Sequence, residues 1–265
     1  MPGETFLRVS RSAGVVTATL DRQEARNAFD EAMIDEITAR FKELAQDASI
    51  RAVVVRGEGK DFSAGADIKM MRRAGGYRAA QNKKEAMRLA GMCRAIDEFP
   101  APVIARVHGA CFGGALGIVA AADIAVAADN ASMSFSECRL GILPAVISNW
   151  VLPKIGPAAA RRYFLTAETF GAAAALRMGL VHEVCPEAEL DAKVQEPLAW
   201  ILRAGPNAVR EAKAMLRKVW GLPLEKRIRI TTDALVRVRA SAEAKEGLTA
   251  FLEKRPAAWT LPENS

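Results

Sequence analysis

Three short, nearly unbroken apolar runs, each followed by a stretch with helical spacing, constrain this chain most. The runs are Val15–Leu20, residues 52–56 (AVVVR) and Val103–Val107. Runs of this length, rich in β-branched residues and closed by turn signals, read as buried strands rather than helices. Asp30 stands where an N-cap belongs, ahead of Met33, Ile37, Phe41 and Leu44 at helical spacing. A second helix is expected over 78–98, because Pro100 and Pro102 must stop it. Further short strands are expected at 124–127 and 132–136, the latter followed by Glu137. Strand and helix therefore alternate through the first half, the pattern of an α/β core.

The second half changes character. From about Val146 nearly everything reads as helix, including 187–202, 208–219 and 225–254. Residues 1–200 are thus expected to form the core and 201–265 a helical C-terminal region. At 265 residues, with 51% hydrophobic and 26% charged side chains, the chain is expected to build a sizeable core. Its excess of 37 basic over 31 acidic residues, a net +6, favours anionic partners. The densest basic clusters, Arg72-Arg73, Lys83-Lys84 and Lys226-Arg227-Ile228-Arg229, lack interleaved aromatics, which argues against nucleic acid. Met1-Pro2-Gly3-Glu4 opens no secretory leader, and the apolar stretch 113–128 is interrupted by Asp123, so no membrane span is expected. Four scattered cysteines with no CxxC pair suit a reducing cytoplasm and neither a disulfide framework nor a zinc ribbon.

Chemistry concentrates in three segments. The first, Asp61-Phe62-Ser63-Ala64-Gly65-Ala66-Asp67-Ile68, follows the AVVVR run; the second, Gly113-Gly114, opens an alanine-rich helix. Both are turns after strands whose amides are free to donate, so each can aim one N–H at a shared oxygen, as an oxyanion hole does. The plainer reading is tight turns and close packing alone. The third, Ser136-Glu137-Cys138-Arg139-Leu140-Gly141, puts a glutamate between an apolar strand and a glycine turn. Either Glu137 projects into a pocket, where burial raises its pKa towards useful proton transfer, or it is a surface carboxylate paired with Arg139. His108 and His182 have no spacing suited to a metal and read as structural. No GxGxxG, P-loop or GxSxG motif is present.

In this order and spacing, the three segments resemble the crotonase superfamily of enoyl-CoA hydratases and isomerases. Ala25-Arg26-Asn27-Ala28, Phe62 to Ile68, Gly179-Leu180-Val181 and the C-terminal run from Glu246 to Arg255 carry the likeness over almost the whole chain. The resemblance implies a spiral of ββα units with a helical trimerisation region, assembled as a homotrimer or a dimer of trimers. It implies an acyl-CoA substrate and no separate cofactor or metal. The amides of Ala66 and Gly114 would hold the thioester carbonyl, and Glu137 would be the catalytic acid. Ala25, Arg26, Ala64, Asp67 and Ile68 match positions lining the CoA groove, mostly through backbone. Phe251 and Lys254 match positions brought to the CoA near its adenine, or else serve helix packing and a solvated charge.

One departure bears on the chemistry. Two-glutamate hydratases of this family carry a second acid where this chain has Gly117. Glu137 could then hydrate alone or shift a double bond; otherwise the chemistry is lost. Gly117, Ala145-Val146-Ile147-Ser148-Asn149-Trp150 and the run from Ala160 to Glu168 look like bacterial methylglutaconyl-CoA hydratase-type members. Gly117 is expected to leave room beside a branched or carboxylated acyl group, with Arg139 a candidate partner for a second carboxylate. An RNA-binding or non-catalytic homologue is the alternative of another class.

Overall fold

The computed structural model describes residues 5–260; the N-terminal Met1-Pro2-Gly3-Glu4 lies outside them. In chain order the first elements are β1 (Leu7–Ser12), β2 (Val15–Leu20), α1 (Glu31–Leu44), β3 (Ala52–Gly57), α2 (Ile68–Ala74) and α3 (Ala79–Asp97). They are followed by β4 (Val103–Val107), β5 (Ala110–Phe112), α4 (Gly114–Ala121), β6 (Ile124–Ala128), β7 (Ser132–Ser134) and α5 (Ala145–Thr166). Last come β8 (Phe170–Gly171), α6 (Ala172–Arg177), β9 (Glu183–Cys185), α7 (Leu190–Arg203), α8 (Pro206–Val219), α9 (Leu224–Arg239) and α10 (Ala242–Leu252).

The three apolar runs become β2, β3 and β4, adjacent in a six-stranded sheet of order β1-β2-β3-β4-β6-β9. Pairing is parallel throughout except for the β1–β2 hairpin. Every residue of β4 is buried, as a strand covered on both faces requires. A smaller sheet, β5-β7-β8, takes its first strand from the segment between Gly109 and Gly113. Helices α1, α3, α4 and α5 pack in succession, and α4, apolar on all sides, is buried from Ala115 to Ala121.

The chain divides into two compact units. One comprises the residues up to Phe99 together with Val103–Val194; the other comprises Pro100–Pro102 and the residues from Gln195 onward. Both sheets belong to the first unit, and α8, α9 and α10 to the second.

Several expectations are corrected. The strand expected over 132–136 ends at Ser134, and a 3₁₀ turn, Ser136–Leu140, carries Glu137. The helical reading of the second half missed β8 and β9, whose two and three residues are too short to show a period of two. The single helix expected over 225–254 is two, because Ser241 accepts a hydrogen bond from the Ala244 amide and caps α10. Within α5, Gly156 is non-helical (φ 67°, ψ 169°), so the element kinks there.

No helix among the described residues is long and apolar enough to cross a membrane. The cysteines Cys93, Cys111, Cys138 and Cys185 are free thiols, and only Cys138 is exposed.

Candidate functional site

Two loops and a helix start meet in the first unit. The loop after β3 pairs with the segment leading into β5: the Phe62 amide donates to His108 O (2.9 Å) and the Ser63 amide to Ala110 O (3.0 Å). In return the Phe112 amide donates to Ser63 O (3.1 Å). Gly65 sits so close to this segment that a Cβ on it would lie 2.7 Å from Phe112 O, and its φ of +92° also demands glycine. On its other side the loop pairs with Phe29, whose amide donates to Gly65 O (2.7 Å) and whose carbonyl accepts from the Asp67 amide (2.8 Å). In such a bridge the N–H of the residue between, Ala66, points away from Phe29. That amide donates to no other protein group among the described residues, and Ala66 is exposed.

Gly114 is the first residue of α4, so its N–H has no helical acceptor. Before it, Gly113 adopts φ 51° and ψ −122°, a conformation open essentially only to glycine. The Phe29 ring reaches across to Gly114, standing 3.8 Å from where a Cβ there would be, and Leu89 of α3 stands at 3.6 Å. Phe29 thus touches both turns, pairing with one through its backbone and covering the other with its ring.

Glu137 lies over the same corner. Its Oε1 is 3.5 Å from the place a Cβ on Gly113 would take. Its Oε2 is buried and has no hydrogen-bond partner among the described residues. Burial raises the Glu137 pKa above its ordinary 4.5, and a hydrogen bond from its own backbone offsets only part of that. No ion pair with Arg139 forms among the described residues; Arg139 is exposed. The surface-pair reading is therefore wrong, since the carboxylate turns inward to the glycines.

The groove positions are held from behind. The Ala64 amide donates to Arg26 O (2.9 Å), and fully buried Asn27 donates through Nδ2 to Glu58 O and Asp61 O, both at 2.9 Å. Arg26 Nε donates to Asp61 Oδ2 at 2.7 Å, and Asp61 Oδ1 accepts from the Ala110 amide at 2.9 Å. Burial works against the Asp61 charge, but Arg26 and the Ala110 amide outweigh it and hold the carboxyl below the usual aspartate range. Asp61→Ala should therefore cost about 1–3 kcal/mol, the range for orphaning a buried partner, measured by urea unfolding at pH 7. The difference from the parent should shrink as pH falls through the lowered pKa, where the parent loses the same charge.

Asp67 is engaged differently from a ligand-binding carboxylate. It caps α2, accepting from the Lys69 (2.7 Å) and Met70 (3.1 Å) amides, and pairs with Arg22 (3.0 Å). Arg22 also meets Asp30, the N-cap of α1, at 3.4 Å. One guanidinium thus joins the first turns of two helices. Ala25 is half-buried, and Ile68, at 65% exposure, opens α2 towards solvent. Phe251, 80% exposed, and Lys254 belong to the second unit.

The room expected beside Gly117 is absent. Gly117 is buried, and a Cβ on it would lie 2.6 Å from Ile147 Cγ2 and 2.9 Å from Cys93 Sγ. Ile147 of α5 and Cys93 of α3 already fill that volume. Gly117→Ala should cost about 1–3 kcal/mol through overpacking. Adding Ile147→Ala should leave the double variant more stable than the two single losses sum to, by about 1 kcal/mol in thermal melts. His108 is structural as expected, its Nε2 donating to Gly59 O (2.9 Å) and its Nδ1 facing Arg106 (3.1 Å). His182 Nδ1 accepts from the Ala125 amide (3.1 Å).

Residues 10–262 match the family model described as enoyl-CoA hydratase/isomerase. The chain belongs to the enoyl-CoA hydratase/isomerase family. A crystal structure of an enoyl-CoA hydratase from Shewanella pealeana is 38% identical and superposes with a TM-score of 0.92, covering 96% of each chain. Pseudomonas aeruginosa AtuE is 34% identical, with a TM-score of 0.94 over 97% of this chain and all of that one. The carnitinyl-CoA dehydratase of Escherichia coli K12 is 34% identical over 96% of this chain and 97% of its own length. The two sheets and the helices that follow them are thus the crotonase fold. Sequence reasoning missed Phe29 and Leu89 at the site, and quoted Ile147 only within the stretch 145–150, without its contact to Gly117. Of the two, Phe29 left a signal, standing between Asn27-Ala28 and the helix cap Asp30.

Proposed function

We propose that this chain is a hydratase adding water across the 2,3 double bond of an enoyl-CoA, with Glu137 as its one acid–base group. The observation that carries the reading is the Glu137 carboxylate beside Gly113, whose Oε2 is buried with no hydrogen-bond partner among the described residues, next to the free amide of Gly114. The thioester oxygen sits on the amides of Ala66 and Gly114, which stabilise the enolate as charge develops. Glu137 takes a proton from water as the hydroxyl oxygen bonds the β-carbon, and returns that proton to the α-carbon as the enolate collapses. Water is consumed, and the carboxylate is regenerated.

The base must start ionised. Burial raises the Glu137 pKa, so kcat/KM should fall on the acid side with an apparent pKa above 4.5. That limb should be missing from the residual activity of Glu137→Gln.

A branched or carboxylated acyl group, such as methylglutaconyl, is the substrate favoured by the motifs at 117, 145–150 and 160–168. Filled space at Gly117 removes the argument from room but not the one from motifs. The exposed apolar side chains of the second unit, among them Trp220, Ile228, Leu248 and Phe251, support assembly from copies of this chain as a trimer or a dimer of trimers. Purified protein offered crotonyl-CoA, methylglutaconyl-CoA and a 3-enoyl-CoA in turn tests the reading. Hydration of either 2-enoyl ester supports it. Turnover of the 3-enoyl ester alone replaces hydration by double-bond migration, which a single base also serves.

A further inference from the structure

We propose that Ile147 sets the acyl-chain length this site accepts. The inference rests on acyl-CoA being the ligand and extends that reading to the kind of acyl group. Gly114 and Gly117 are three residues apart on α4 and so share a helix face. Leu89 and Cys93 are four apart on α3 and share a face in turn, lying along that of α4. The two ends of this shared face differ. Beside Gly114, Leu89 and Phe29 stand at ordinary contact distance, 3.6 and 3.8 Å from a Cβ position, and Leu89 is only half-buried. One turn deeper, Ile147 and Cys93 close on Gly117 to 2.6 and 2.9 Å, and both are essentially inaccessible, at 1% and 0% exposure.

A carbonyl held at the Gly114 amide therefore meets an apolar wall about 4.5 Å further along α4, the rise of three residues. Cys93 contributes bulk and no nucleophile, since burial pushes its thiol up to about 12. Ile147 supplies the aliphatic part of the wall. It stands near the start of α5, whereas Cys93 lies within the long helix α3. A short acyl chain, branched or not, ends before the wall; a long straight one runs into it.

The test compares the parent with Ile147→Ala and Ile147→Val, the second retaining most of the packing. Trans-2-butenoyl-CoA and trans-2-decenoyl-CoA are the substrates, and calorimetry with butyryl-CoA and decanoyl-CoA reads binding without turnover. The expected result is a parent that prefers the short esters. The decenoyl-to-butenoyl ratio of kcat/KM should then rise about tenfold or more in Ile147→Ala, with Ile147→Val between. The ratio of binding constants should move the same way. An unchanged ratio in folded variants, or a parent that takes decanoyl and butyryl esters equally, overturns the proposal. If the parent binds the esters but hydrates none, the hydratase reading fails while the binding ratio still decides the role of Ile147. Binding of neither ester overturns both.

Discussion

Glu137→Gln is expected to lower kcat by a hundredfold or more while leaving the protein at least as stable as its parent. The loss follows from removing the one acid–base group of the proposed reaction, worth about 10²–10⁴-fold. The stability follows from where the carboxylate sits. Its Oε2 is buried without a partner, and burial raises its pKa, so ionisation is less favourable in the folded chain than in the unfolded one. The cost is absent below the unfolded pKa, grows as pH climbs and is complete above the folded value. A neutral glutamine avoids it. Steady-state rates and thermal melts at pH 7 to 8 check both halves. Near-normal turnover removes Glu137 from its role, and a large fall in melting temperature would mean that the carboxylate is structural.

The second large effect is expected at an amide. Ala66→Pro deletes an N–H that donates to no group among the described residues, so it removes none of their structural hydrogen bonds. Loss of one oxyanion donor typically costs about 10²–10³ in kcat. Rates on butenoyl-CoA should fall by that amount, while circular dichroism and the affinity for free coenzyme A should stay near the parent's. Equal weakening of coenzyme A binding would show that the substitution had moved the whole 61–68 loop and not just the donor.

Much of the architecture is visible in the residues. Val15–Leu20 and Val103–Val107 become strands with the expected limits, because β-branched runs with no helical period have few other uses. Asp30 caps its helix as expected, since its carboxylate has an amide three residues on to accept from. The strands β8 and β9 stay hidden because pairing partners far away in the chain, not their own residues, make them strands. At the site, Glu137 and the two glycine turns are legible from order and spacing. Its inward orientation is not, because the choice between Arg139 and the Gly113 corner depends on the 3₁₀ turn that aims it. The misjudged room at Gly117 has the same origin: a missing side chain is visible in sequence, and the neighbour filling its place is not.

That neighbour also changes how kinship should be read. Positions 117 and 147 are thirty residues apart and compete for one volume, so they can be expected to vary together. In this chain a side chain at the first requires the Ile147 branch to shift or be shortened. A chain about a third identical to its relatives shares their fold, and this pair is where its packing would first diverge from theirs. If Glu137 acts alone as proposed, relatives with a bulky residue at 147 and glycine at 117 are expected to share its one-acid chemistry, which assays of Glu137→Gln equivalents would check.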